Sequence, residues 1–146
     1  MKSLICSDEN PYNQHCFQQS LQSLTGDRKD KATYVPLSAT AMMSEKSSSK
    51  RLRQDCRVLI VDPPRKGLDS AVLDFLVQNK NYHNVELLVY VSCGFDAFRR
   101  DCTRLTEGDS TSNQEQRLWN LEHAEGHILF PGSNAIETLA YFTPAM

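Results

Sequence analysis

The 146-residue chain lacks the sequence features that mark several classes of protein. Its five cysteines are odd in number and show no C-x-x-C or cysteine–histidine ligand spacing, so the sequence favours neither a disulfide framework nor a metal site. No apolar stretch approaches membrane-spanning length, and the N-terminal residues do not resemble a secretory signal. We therefore predict free thiols, no membrane association and a reducing compartment inside the cell. The sequence does not distinguish cytoplasm from chloroplast or another organelle.

An excess of basic residues is also lacking, because 16 Lys and Arg face 18 Asp and Glu, for a net charge of −2. This balance excludes the overall basic charge of a self-sufficient nucleic-acid-binding domain, although a local basic patch stays compatible with it. No internal repeat and no G-x-G pattern occur, so a glycine-rich turn that cradles a nucleotide is absent from the sequence. The length is that of one ordinary domain.

What is present is an alternation of apolar strand and helix patterns. We predict strands at 3–7, 31–37, 57–61, 85–93, 117–124 and 136–142, and helices at 12–24, 68–79 and 95–105. The continuous run Val58–Val61 is typical of a strand buried on both faces. The pattern predicts an α/β fold with a mostly parallel sheet and one antiparallel strand at its end. The polar stretches 44–56 and 107–116 are predicted to be mobile loops.

Three strand ends carry unusual chemistry. They read "VDPPRKG" at 61–67, "VSCG" at 91–94 and "FPGSNAIE" at 130–137. Ligands of open parallel sheets bind beyond the carboxyl ends of the strands. We therefore expect a binding or catalytic site where these ends meet.

Cys93 stands where a strand ends and a helix begins. Unpaired N–H groups and the helix dipole favour an anion at this place, and Arg99 and Arg100 follow within two turns. The position therefore suits a nucleophilic thiolate. The alternative is a small buried thiol that only packs.

Asp62 is followed by two prolines, which remove backbone donors and hold the segment stiff and extended. Its carboxylate is therefore presented with little freedom, and the alternative is a solvated acid at a strand terminus. Arg65 and Lys66 could contact phosphate or remain solvated.

Glu137 stands at the start of the last predicted strand. Its apolar neighbours predict partial burial, which would raise the pKa of its carboxyl and suit a general base. The alternative is an exposed charge at a strand edge.

Together, "VDPPRKGL", "VYVSCGFDAFRRD" and "FPGSNAIETLAYF", in this order and at this spacing, resemble the carboxyl-terminal half of the RNA (uracil-5-)-methyltransferase family. The resemblance runs from about residue 3 to residue 143. Gly94 in "SCGF", where much of the family carries asparagine, resembles the plant-type members. The resemblance implies S-adenosylmethionine as cofactor and tRNA or rRNA as substrate.

For the individual residues, the resemblance implies that Cys93 adds to carbon 6 of uracil and that Glu137 removes the proton from carbon 5. Asp62 would hold the base edge of the uracil and lie beside the cofactor, with Arg65 also on the substrate side. Asp8 would bind the cofactor ribose hydroxyls, with Glu9 as its substitute.

The chain also departs from the family pattern. In the loop before the base glutamate, Ala135 replaces a histidine that the family usually carries just before the hydrophobic residue, and Ile128 replaces an acid ahead of "FP". Without the glycine-rich turn, the resemblance implies a class I (Rossmann-like) methyltransferase sheet that lacks its first strand-turn-helix. We therefore expect residues 1–146 to form a single truncated catalytic domain.

Two other functions remain open from the sequence. The first is a degenerate, non-catalytic remnant that binds RNA or a partner subunit. The second is a thiol-dependent hydrolase that pairs Cys93 with one of the four histidines. These are His15, His83, His123 and His127. The sequence leaves the oligomeric state undetermined.

Overall fold

A computed structural model describes residues 3–23, 30–44, 52, 54–78, 84–109, 115–129, 131–132 and 136–145. The chain divides into two compact units, Met1–Ser49 and Lys50–Met146. Among the helices of these ranges, none has the length and apolar character that crossing a bilayer requires.

The first unit is built around a strand, a helix and a second strand. Its elements in chain order are β1 (Leu4–Ser7), α1 (Tyr12–Gln22), β2 (Ala32–Val35) and α2 (Ala39–Ser44). β1 and β2 are parallel and pair directly, and the ring of Phe17 in α1 lies 5.5 Å from the ring of Tyr34 in β2. The two strands and α1 were predicted from the sequence, whereas the short helix α2 was not.

The second unit contains a four-stranded mixed sheet. Its elements are β3 (Val58–Val61), α3 (Ser70–Val77), β4 (Leu87–Ser92), α4 (Phe95–Glu107), β5 (Trp119–His127) and β6 (Glu137–Pro144). The strand order is β3-β4-β6-β5. β3 and β4 are parallel, and β6 is antiparallel to both of its neighbours. Only β6, the last described strand, therefore runs against the other three, and the predicted mixture of α/β elements with parallel and antiparallel strands is confirmed.

The core of the second unit lies between this sheet and its two helices. Alternate residues of β4 are buried, as expected for a strand with one covered face. Tyr90 of β4 packs edge-to-face on Phe98 of α4, with ring centroids 5.3 Å apart. The indole N–H of Trp119 in β5 donates to the carbonyl of Leu76 in α3 at 3.1 Å. Burial of these large apolar side chains orients α3 and α4 on one face of the sheet.

One sequence prediction about this sheet is wrong. The run Val58–Val61 forms a strand, but it is not buried on both faces, because Val58 and Ile60 are 52% and 64% exposed. β3 stands at the edge of the described sheet and pairs only with β4. β-branched composition therefore indicated a strand without indicating how much of it is covered.

Both predicted loops lie partly outside the described residues. In the stretch 44–56, residues 45–51 and 53 lie outside the described residues, and Ser44 ends α2. In the stretch 107–116, residues 110–114 lie outside them, and Glu107 ends α4. The mobility of these loops stays a prediction.

Candidate active site

Three of the predicted site residues lie at one end of the strands in the second unit's sheet. β3 and β4 are parallel and paired, so their carboxyl ends lie at this end of the sheet, and Asp62 and Cys93 directly follow them. β6 runs in the opposite direction and pairs with β4, so its first residue, Glu137, lies at the same end. The topology therefore brings Asp62, Cys93 and Glu137 together at one end of three adjacent strands.

These residues differ in their access to solvent. Cys93 and Glu137 are half-buried, whereas Asp62 and Arg65 are exposed. A half-buried thiol and a half-buried carboxylate remain accessible to a substrate. Glu137 is thus partly buried, as its apolar sequence neighbours predict.

A histidine lies beside Glu137, although not at the position where the family pattern usually carries one. Ala135 leaves the expected position without an imidazole, but His127 of β5 pairs directly opposite Glu137. His127 Nε2 lies 3.2 Å from Glu125 Oε1, and His123 Nε2 lies 3.4 Å from Glu125 Oε2. The hydrogen bond from His123, followed by that from His127, lowers the pKa of Glu125. Cross-strand pairing thus places the row His123, Glu125 and His127 on the strand next to Glu137. A linear sequence motif does not show such pairing.

The loops that follow β3 and β4 touch each other through their backbones. A Cβ added at Gly94, which precedes α4, would lie 2.4 Å from the carbonyl oxygen of Arg65. That contact is with main-chain atoms, which cannot swing away as a long side chain can. Gly94 is therefore required for space, and an asparagine here would need the loop of Arg65 to move.

The loop after β3 closes in a tight turn. The N–H of Gly67 donates to the carbonyl of Pro64 at 2.8 Å, and Gly67 has a φ of +89°, a value that side chains disfavour. The proline-rich segment thus ends in a fixed bend directly before α3.

A fully buried carboxylate in α4, Asp101, was not predicted from the sequence. Its Oδ2 accepts from the N–H of Leu68 at 2.7 Å and from the hydroxyl of Tyr90 at 2.8 Å. Burial, followed by the hydrogen bond to Asp101, raises the pKa of Tyr90. The phenol therefore stays protonated, and its O–H donates the hydrogen bond to Asp101. A sequence signal did exist, because Ala97, Asp101 and Leu105 share one helical face and the outer two are apolar.

Arg100 links the same carboxylate to the turn. Its Nη2 donates to the carbonyl of Lys66 at 2.7 Å and to Asp101 Oδ1 at 3.2 Å. The sequence had suggested Arg100 as a positive charge near Cys93. In the structure, its guanidinium instead bonds to the loop after β3.

The five cysteines are all free thiols. Burial raises the pKa of the thiols of Cys6, Cys56 and Cys102, and Glu107 adds to the effect at Cys102. These three thiols are therefore weak nucleophiles at neutral pH. Within the described part of the chain, no group of three or more potential ligands could hold a metal ion.

Asp8 lies in the first unit, directly after β1. Its exposed carboxylate accepts the N–H of Asn10 at 2.6 Å, and the hydroxyl of Tyr34 donates to the carbonyls of Asp8 and Asn10 at 3.2 and 3.0 Å. A carboxylate at the carboxyl end of a parallel strand suits the hydroxyls of a ribose. The described residues thus fit the ribose of S-adenosylmethionine, whereas the sequence offers no G-x-G turn for its amino-acid end.

Comparison with known proteins identifies relatives of the chain. An RNA methyltransferase of Protochlamydia amoebophila is 35% identical over 138 residues, which is 94% of this chain and 30% of that protein. The chain belongs to the family of this RNA methyltransferase. The predicted resemblance is thereby confirmed at the level of the family. No family model matches the chain.

Two further relatives of this RNA methyltransferase family match shorter stretches. An RNA methyltransferase of Enterococcus faecalis is 35% identical over 89 residues, 61% of the chain and 17% of that protein. A tRNA (uracil(54)-C(5))-methyltransferase of Schizosaccharomyces pombe is 31% identical over 85 residues, 58% of the chain and 14% of that protein. The chain therefore spans less than a third of the length of each of these three relatives. Their names do not favour the alternative of a non-catalytic remnant.

Proposed function

We propose that this chain carries the catalytic centre of an S-adenosylmethionine-dependent RNA (uracil-5-)-methyltransferase that acts on uridine in tRNA or rRNA. The observation that carries the proposal is the placement of Asp62, Cys93 and Glu137 at one sheet edge. The 35% identity with an RNA methyltransferase over 138 residues supports it. The sheet is then part of a Rossmann-like class I methyltransferase fold, and the five free thiols support a reducing compartment.

Cys93 would start the reaction. Carbon 5 of uracil is a poor nucleophile, and addition of the Cys93 thiolate to carbon 6 converts the ring into an enolate whose carbon 5 is electron-rich. S-adenosylmethionine, when bound, supplies the electrophilic methyl group that carbon 5 accepts. Asp8 would hold its ribose hydroxyls.

Glu137 would complete the reaction. After methylation, carbon 5 still bears its proton, and the Glu137 carboxylate removes it. The electron pair of that C–H bond re-forms the double bond, the bond between carbon 6 and the Cys93 sulfur breaks, and the thiolate is regenerated. Asp62 would orient the base edge of the uracil, and the exposed guanidinium of Arg65 would contact an RNA phosphate.

The test is methyl transfer by the full-length protein from radiolabelled S-adenosylmethionine to unmodified tRNA and rRNA, with 5-methyluridine identified by mass spectrometry after digestion. Cys93→Ala should abolish transfer. Cys102→Ala is the matched control, because it removes a half-buried thiol from the helix that follows Cys93. Transfer that persists in Cys93→Ala would remove Cys93 from the mechanism.

The same RNA tests the base. Glu137→Gln should accumulate a covalent protein–RNA adduct, visible as a shifted band in a denaturing gel, because release of the thiolate needs loss of the carbon-5 proton. Glu122→Gln is the control, since the Glu122 carboxylate accepts the hydroxyl of Thr143 on the neighbouring strand. Full transfer by Glu137→Gln, with no adduct, would assign the base to another group.

A further inference from the structure

The loop after β3 is held by a carboxylate that comes from far along the chain. Asp101 is fully buried and accepts the N–H of Leu68, a residue 33 positions earlier, at 2.7 Å. A buried carboxylate is costly unless its oxygens are hydrogen-bonded. The bond fixes the end of the loop against α4.

Two neighbours tighten this attachment. Arg100 Nη2 bridges from Asp101 Oδ1 to the carbonyl of Lys66. A Cβ at Gly67 would lie 2.6 Å from Asp101 Oδ2, so the backbone of the turn packs directly on the carboxylate. Residues 66, 67 and 68 are thus each in contact with Asp101 or with its partner Arg100.

The same carboxylate is bonded to the strand that leads to Cys93. The hydroxyl of Tyr90 donates to Asp101 Oδ2 at 2.8 Å, and Tyr90 lies in β4, which ends directly before Cys93. Tyr90 also pairs with Val61, the residue before Asp62. One buried carboxylate therefore joins the loop that carries Asp62 and Arg65 to the strand that presents Cys93.

We propose that Asp101 is a positioning residue for the reaction at Cys93, because it fixes the loop of residues 62–68 relative to the thiol. This inference rests on the proposed function. Catalysis depends on reacting groups that are held in place, and an error of about 1 Å can cost about a hundredfold in rate. Asp101 acts through Asp62 and Arg65 and does not itself touch the substrate.

Two variants separate positioning from general stability. Asp101→Asn keeps the size of the side chain but replaces one acceptor oxygen with an NH₂ group, which then faces a donor. Asp74→Asn is the matched control, because Asp74 Oδ1 accepts from Arg104 Nη2 at 2.5 Å and links α3 to α4 away from the loop. Both variants remove one carboxylate charge, that of Asp101 within α4 or that of Asp74 in α3.

The first measurement is amide hydrogen exchange, followed by mass spectrometry of a peptide that covers residues 62–69. Asp101→Asn should speed exchange in this peptide by about tenfold, while Asp74→Asn should leave it at the wild-type rate. Unchanged exchange in Asp101→Asn would overturn the inference. If Asp101→Asn does not fold, Tyr90→Phe, which removes one donor from the same carboxylate, should speed exchange in the same peptide.

The second measurement is methyl transfer with kcat and KM for RNA determined separately. Asp101→Asn should lower kcat by roughly ten- to a hundredfold and change KM by less than about threefold, because RNA binding is spread over many phosphate contacts. Asp74→Asn should retain the wild-type kcat, and equal kcat values for both variants would overturn the positioning role. A wild-type protein without methyl transfer would instead overturn the proposed function, while the exchange result would still decide whether Asp101 orders the loop.

Discussion

Two loops of this molecule begin alike and are held differently. Each follows a strand, carries an acid and a proline, and leads into a helix. In the loop after β1, the carboxylate of Asp8 bonds to Asn10 only two residues away, at the surface. In the loop after β3, Leu68 bonds to the buried carboxylate of Asp101. Similar local sequences therefore give a locally closed loop in one unit and a loop anchored in the core in the other.

The two loops should differ in the free energy that is needed to open them. A hydrogen bond to a charged, buried group contributes roughly 1.5–3 kcal/mol, and removing one partner leaves the other unsatisfied. Bonds that face water exchange easily with water and contribute less. The loop after β3 should consequently open less often than the loop after β1, as a loop that orients catalytic groups requires.

A side chain added at Gly67, in the turn after β3, should give the largest loss of stability. Gly67 and Gly132 have nearly equal φ values of +89° and +86°, but a Cβ at Gly67 meets Asp101 while a Cβ at Gly132 meets nothing within 4 Å. Gly132→Ala should lower the free energy of unfolding by about 1 kcal/mol, from backbone strain alone. Gly67→Ala should lower it by about 3 kcal/mol, since strain and a clash with a bound carboxylate add.

Urea unfolding followed by fluorescence measures both values, because the chain has one tryptophan, Trp119, and it is buried in the second unit. Equal losses for the two glycine variants would mean that Asp101 yields easily. The contact of Gly67 with Asp101 would then not help to anchor the loop after β3.

The sequence predicted the residues at the strand ends but not what holds them. Asp62, Cys93 and Glu137 stand next to strong local signals, a proline pair, a strand-to-helix junction and a strand start. Asp101 has partners 11 and 33 positions away, so its role depends on how β4, α4 and the loop pack. Sequence periodicity located α3 and α4 well because each buries one face along its own length.

Burial of strands was harder to predict for a related reason. The apolar run that contains Ile60 reads as a covered strand, yet whether a face is covered depends on elements elsewhere in the chain. His127 shows the same limit, since it stands opposite Glu137 only because β5 and β6 pair in one particular register. Local patterns report what a residue prefers, and tertiary packing decides what lies next to it.

Removal of the strand tyrosine hydroxyl that supports each loop, from Tyr90 in β4 or from Tyr34 in β2, should give the next largest loss of stability. Tyr90→Phe removes a donor from buried Asp101 and should lower the free energy of unfolding by about 2 kcal/mol. Tyr34→Phe removes the donor to the carbonyls of Asp8 and Asn10 and should have a much smaller effect, because water can replace it. Comparable losses for the two variants would contradict the difference between the loops.

Tyr90 also predicts that the free energy of unfolding depends on pH. Burial, and then the bond to Asp101, raises the pKa of Tyr90, so the unfolded chain releases this proton near pH 10 while the folded chain retains it. The unfolded state binds fewer protons there, and the free energy of unfolding should therefore fall as pH rises above about 10. Tyr90→Phe should show a shallower fall between about pH 9 and 11 in urea unfolding. An unchanged slope would mean that the Tyr90 phenol ionises as readily in the folded chain as in the unfolded one.

The smallest effect on stability is expected from the exposed acid of the first loop. Asp8→Ala should change the free energy of unfolding by about 0.5 kcal/mol or less, because its bond to Asn10 faces solvent. Binding of radiolabelled S-adenosylmethionine to the full-length protein should nevertheless weaken by about tenfold, since ribose hydroxyls would lose a charged acceptor. Glu9→Ala is the adjacent control and should bind as the wild type does. If Glu9→Ala weakens binding and Asp8→Ala does not, the ribose contact belongs to Glu9, and the carboxylate of Asp8 serves only to close the turn into α1.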